Sequence, residues 1–199
     1  MSKYFFFIIL FSFLISCKQT NEQLFDNALE LGKEKKYEKA IEIYSSLIKH
    51  NKKLQLPYYN RGLCYIYTKN YSNALADFNK VMSLQSFDGF ISILNKDSPF
   101  ADEEAKSQVP YYDALYQRAQ VKFYMDSINS SFKDFQILIN NDYEGKSNCL
   151  LWQGTLWIRG GKQDSACEYF QKAKQLALTE DDKQEANKMI KSYCEKKNQ

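Results

Sequence analysis

Tyr37-Glu38-Lys39-Ala40-Ile41-Glu42-Ile43-Tyr44 and Tyr71-Ser72-Asn73-Ala74-Leu75-Ala76-Asp77-Phe78 decide how this chain folds. The two stretches stand 34 residues apart, and Tyr, Ala and an aromatic ring recur in them at identical spacing. Ahead of each lies a helical pattern with a small residue in its middle: Leu24, Ala28 and Leu31, then Tyr58, Gly62 and Tyr65. Spacings of i, i+4 and i+7 put such residues on one face of an α-helix. Leu115, Ala119, Ser131 and Phe135 mark a third unit, and Leu150, Gly154, Trp157, Ala166, Phe170 and Ala173 a fourth. Arg61-Gly62 and Asp77-Phe78 return as Arg118-Ala119 and Asp134-Phe135, both displaced by 57 residues. A helix pair of this length cannot bury its own apolar face, so such units must stack.

The small residues show how each pair closes. Ala28, Gly62, Ala119 and Gly154 on the first helices, with Ala40, Ala74 and Ala166 on the second, permit the close approach of about 8–10 Å that packed helices need. Tyr44, Phe78, Phe135 and Phe170 then fill the space around the contact. The Arg61–Asp77 and Arg118–Asp134 pairs recur with the repeat, which marks them as bridges between helices and not as catalytic residues.

With these residues in view, the chain resembles the tetratricopeptide repeat, a helix-turn-helix unit of 34 residues. The resemblance covers 21–54, 55–88, 112–145 and 147–180. Asn27 stands where an aliphatic is usual, Lys122 replaces the aromatic, Ser131 replaces Ala, and no unit ends in Pro. The resemblance implies an all-α, α-α superhelix of about four units within a domain spanning 23–197. The 57-residue displacement exceeds one repeat and places an insertion at 89–111, carrying Phe87, Phe90, Ile91, Ile93 and Leu94 at or near its start. Within it, Ser98-Pro99 ahead of Asp102-Glu103-Glu104 reads as a helix start, and Pro110 opens the next repeat helix. At the far end, Ala186, Met189, Ile190, Tyr193 and Cys194 form the apolar stripe of a capping helix at 181–196, which repeat arrays need.

The resemblance also implies that the first helices line a groove for an extended peptide or an amphipathic helix. Tyr59, Leu63, Ile66 and Tyr67 in the second unit, and Tyr116, Gln120, Phe123 and Tyr124 in the third, are the residues expected there. The bland reading is that several of them only pack between repeats. Members of the family that grip C-terminal carboxylates use polar groups where Phe25 and Leu29 stand, so that mode is not expected.

The first residues belong to another problem. Met1-Ser2-Lys3 is a short positive start, and Tyr4 to Ile15 is apolar apart from Ser12. That run is shorter than the roughly 20 residues of a spanning helix and fits a secretion signal. Leu14-Ile15-Ser16-Cys17 resembles the lipobox of bacterial lipoproteins, which implies removal of 1–16 and acylation of Cys17. Residues 17–22 then form a lipidated tether. The expectation is a protein lipid-anchored in the bacterial envelope, at the outer membrane facing the periplasm, with an envelope protein or peptide as partner.

Composition excludes other classes. With 27 basic against 24 acidic residues, the net charge of +3 is too balanced for nucleic acid. One histidine, His50, leaves little for His-based catalysis or a metal site. No G-x-S-x-G, H-E-x-x-H, phosphate loop or C-x-x-C motif occurs. No catalytic residue, cofactor or metal is expected. A cell-wall-associated enzyme or a small-ligand carrier of the envelope is the alternative. Beyond Cys17, four cysteines remain. If the cap packs as expected, Cys167 and Cys194 are neighbours, either bonded or as two buried thiols. Cys64 and Cys149 lie too far apart to meet.

Overall fold

The computed structural model describes residues 20–85, 101–141 and 143–195. The signal segment, Cys17, the first part of the expected tether and most of the insertion, including Phe87 to Leu94 and Ser98-Pro99, lie outside the described residues. Among those described, the elements are α1 (Asn21–Lys33), α2 (Tyr37–His50), α3 (Gln55–Tyr67), α4 (Tyr71–Leu84), α5 (Ala101–Lys106), α6 (Tyr111–Tyr124), α7 (Ile128–Asn140), α8 (Lys146–Arg159), α9 (Gln163–Gln175) and α10 (Glu180–Tyr193). Asn21 and Glu22, expected in the tether, are already helical. Thr20 sets that boundary with a capping box: its Oγ1 accepts from Gln23 N at 3.2 Å and its N–H donates to Gln23 Oε1 at 3.0 Å.

Each helix pair turns in the same way. Lys35, Lys69, Asp126 and Gly161 occupy one position in the four units, with φ of 61°, 59°, 58° and 71°. This left-handed residue lets the next N–H reach back to the carbonyl five residues earlier: Lys36 to Leu31, Asn70 to Tyr65, Ser127 to Lys122, Lys162 to Trp157, all at 2.8–2.9 Å. Those bonds satisfy carbonyls that a helix end would otherwise leave unpaired.

Packing follows the repeat. Every second helix lies between its own first helix and the first helix of the following unit, and α9 lies between α8 and the cap α10. The small-residue columns are fully buried, as are Phe78, Phe135 and Phe170, with Tyr44 almost so. A Cβ on Gly62 would sit 2.9 Å from Phe78 Cζ, and one on Gly154 only 2.3 Å from Phe170 Cε1, so the rings use the space the glycines leave. Ser131 enters the Ala column at the cost of a buried hydroxyl, which is met by donation to Ala119 O at 2.8 Å. Lys122 departs from the aromatic column for a similar reason, reaching Asp134 Oδ2 at 2.7 Å.

The insertion does not interrupt the stack, because α4 packs directly on α6. Its helix α5 is set against the first two units by specific bonds. Glu104, 2% exposed, accepts from Asn51 Nδ2 at 3.1 Å and faces Lys53 Nζ at 3.7 Å. Asn21 Nδ2 donates to Glu103 Oε1 at 3.0 Å, and Leu56 N donates to Ser107 O and Oγ, both at 3.0 Å. Val109 N donates to the buried Gln55 Oε1 at 3.0 Å, and Gln85 Nε2 donates to Val109 O. At the other end, Cys167 and Cys194 are joined as a disulfide that ties α9 to the end of α10.

Candidate functional site

The face built by the first helices is where the expected partner residues sit. α1 touches α3, and α3 touches α6, in addition to their contacts with second helices. Along this face the eight expected residues divide by exposure. Tyr67 is 65% exposed and Tyr124 39%. Tyr59, Leu63, Ile66, Tyr116 and Gln120 are half-buried. Phe123, at 6%, is a core residue and does not line a surface, which corrects its placement in the groove. The Arg159 guanidinium covers its ring at 3.7 Å, and Trp152 meets it edge-on at 4.9 Å. Arg159 is held there by donating to Phe123 O at 2.9 Å.

The half-buried residues bind the units to each other. Leu63 and Ile66 pack against the cluster of Ala74, Phe78 and Val121, between the second and third units. Tyr59 meets Phe78 edge-on at 5.8 Å. Tyr116 lies edge-on to Phe135 at 5.9 Å, and its Oη accepts from Trp152 Nε1 at 3.1 Å, joining the third unit to the fourth. Burial pushes the Tyr116 phenol above its ordinary range, against the opposing effect of its bonds to Trp152 and Gln120.

Tyr67 and Tyr124 have a different setting. Each ends a first helix and stacks on the tyrosine that opens the second helix of the unit before it. Tyr67 lies on Tyr37 at 4.7 Å with ring planes 6° apart, and Tyr124 on Tyr71 at 5.3 Å and 18°. The stacks fix the rings, so they offer area to a partner with little entropy left to lose. Sequence reading missed Tyr37, Tyr71, Trp152 and Arg159 as part of this face. Tyr37 and Tyr71 were visible as repeat markers, and the identity of Tyr67 with Tyr124 at a 57-residue displacement was the signal that they form a series.

Among the described residues no three His, Cys, Asp or Glu side chains gather where they could hold a metal ion. Burial pushes the Cys64 thiol up to about 11 and the Cys149 thiol up to about 12, which removes both as nucleophiles near neutral pH. Among the described residues no helix is long and apolar enough to cross a membrane.

Comparison with known proteins agrees with the repeat geometry. Residues 57–88 and 148–177 each match a tetratricopeptide-repeat family. Among solved structures, the chain is similar to MamA (residues 41 to the end) from Desulfovibrio magneticus RS-1, at 16% identity and a TM-score of 0.60. That match covers 80% of this chain and 76% of the other. A further MamA crystal structure is similar at 14% identity and a TM-score of 0.56, covering 87% and 89% of the two chains. At such identities the likeness is one of fold. No curated protein matches the chain in sequence.

Proposed function

We propose that this chain, a tetratricopeptide-repeat protein, is a scaffold that holds another protein of the bacterial envelope against the face of its first helices. The observation that carries the proposal is the pair of stacked, outward tyrosines, Tyr37/Tyr67 and Tyr71/Tyr124, one pair at each of two successive junctions. Rigid aromatic rings with a polar tip are the side chains most often found to anchor protein interfaces. Half-buried Tyr59, Leu63 and Ile66 supply an apolar floor beside them.

The anchoring half of the proposal rests on Leu14-Ile15-Ser16-Cys17. Acylation at Cys17 would leave only a few residues between the bilayer and Thr20, where α1 is capped. Two or more acyl chains hold a protein firmly, whereas one does so marginally, each buried methylene adding about 0.8 kcal/mol. The scaffold would thus present its partner close to the membrane surface.

The test is capture of the tagged protein from native membranes in mild detergent, with Cys17→Ser and a Tyr67→Ala/Tyr124→Ala variant alongside. The expected result is one stoichiometric envelope partner retained by the wild type and reduced at least tenfold in the tyrosine variant, at unchanged thermal midpoint. Equal retention by the tyrosine variant sinks the face assignment. Cys17→Ser should move the protein to the soluble fraction; if it stays with membranes, the lipid anchor is wrong.

A further inference from the structure

One apolar recess among the described residues is not on the tyrosine face. It lies between α1, the α2–α3 connection and the inserted helix α5, with a volume of about 450 Å³. That lies in the range of pockets that take ligands. Its floor is apolar: Phe25, Leu47, Leu54, Leu56 and Pro57. Its rim is acidic, with Glu22 and Asp26 one turn apart on α1 and Asp102 and Glu103 across from them on α5, against Lys106 as the one cation among the described lining residues. The whole chain carries a net charge of +3, so this concentration of carboxylates is local and not a consequence of composition.

The walls are built and not incidental. The bonds from Asn21 to Glu103, Asn51 to Glu104 and Leu56 to Ser107 fix α5 against the first two units.

We propose that this recess is a second docking site, separate from the tyrosine face, and that it takes a basic, apolar peptide segment of a partner protein. An aliphatic or aromatic side chain seats against Phe25, Leu47 and Leu56. Lysine or arginine residues beside it meet Glu22, Asp26 and Asp102 at the rim. A cationic segment is attracted to these four carboxylates, which have Lys106 as the one cation among the described lining residues, while it covers apolar surface. Acidic or neutral segments of the same shape lose the rim entirely, so the site discriminates by charge.

The probe is a fluorescent synthetic peptide of alternating lysine and leucine, titrated into the detergent-solubilised full chain. A second peptide with glutamate in place of lysine is the control. Binding should weaken at least tenfold in Glu22→Lys/Asp26→Lys and several-fold in the milder Glu22→Gln/Asp26→Asn. It should be unchanged in Tyr67→Ala/Tyr124→Ala, which separates this site from the scaffold face. Raised salt should weaken it as well. Hydrogen exchange should slow in α1 and α5 when the peptide binds. Equal binding of the glutamate peptide, indifference to both rim variants at unchanged thermal midpoint, or protection confined to α6 and α8 would each overturn the proposal. So would concentration-dependent dimerisation abolished by the charge reversal, which would make a second copy of the chain the occupant.

Discussion

The second and third units and the fourth hold their helices together with different chemistry at the same positions. In the second unit Arg61 forms a fork on Asp77, with Nε to Oδ2 at 2.9 Å and Nη2 to Oδ1 at 2.7 Å. Its remaining Nη1 reaches back to Ser45 of the first unit at 2.9 Å. The third unit repeats this with Arg118 on Asp134, both bonds at 2.8 Å, and Nη1 on Asn79 at 3.2 Å. In the fourth unit the matching positions are Gln153 and Tyr169. Gln153 Nε2 still reaches the preceding unit, at Gln136 Oε1 and Phe132 O, but no donor among the described residues meets its Oε1. The backward bond survives and the ionic fork does not. What replaces the fork is covalent: the Cys167–Cys194 disulfide, one helix further on, fastening the cap.

The difference teaches where each device is needed. A middle unit has neighbours on both sides, and a forked ion pair fixes helix register and inter-unit register with one side chain. Among the described residues the last unit is covered by one amphipathic helix, whose buried residues are Ala186 and Ile190. The cross-link adds a covalent tie to that packing and restricts the unfolded chain.

Breaking the disulfide should have the largest effect. For a sequence separation of 27, loop entropy gives about 3.5 kcal/mol. Cys167→Ser/Cys194→Ser should show that loss in urea unfolding, with hydrogen exchange quickened first in α9 and α10. An unchanged midpoint would mean that Ala186 and Ile190 hold the cap unaided.

Removing the carboxylate of a fork comes next, and it should separate the two middle units. Asp134→Ala leaves both Arg118 and Lys122 without their partner and should cost about 3 kcal/mol. Asp77→Ala strands Arg61 alone and should cost about 2 kcal/mol. If the two cost the same, Lys122 contributes nothing to the third unit despite its 2.7 Å contact.

The smallest expected effect compares the glycines. Gly154→Ala forces a Cβ to within 2.3 Å of Phe170 and should destabilise by about 1.5 kcal/mol. Gly62→Ala meets Phe78 at 2.9 Å, where a small ring shift and the better helix propensity of Ala should nearly cancel. Thermal midpoints of the two variants decide it; a more stable Gly154→Ala would show that the last unit is loosely packed.

The repeat period, the two small-residue columns, the aromatic filler and the Arg–Asp forks were all legible in the chain, because each depends on side-chain size and charge at helical spacing. The capping helix was legible for the same reason. Residues at one register position behave alike wherever the unit recurs, so copying itself was the evidence. The candidate site was less legible. Phe123 and Tyr124 are adjacent in sequence, yet one is sealed beneath Arg159 and Trp152 while the other stacks outward on Tyr71. Nothing local distinguishes them; residues 36 and 53 positions away do. Glu104 shows the same limit, since its place in a helix start was readable but its burial against Asn51 was not. Sequence determined which residues each unit turns inward. Tertiary structure alone decided which of the others stay outside, because covering a side chain takes atoms from a different unit of the stack.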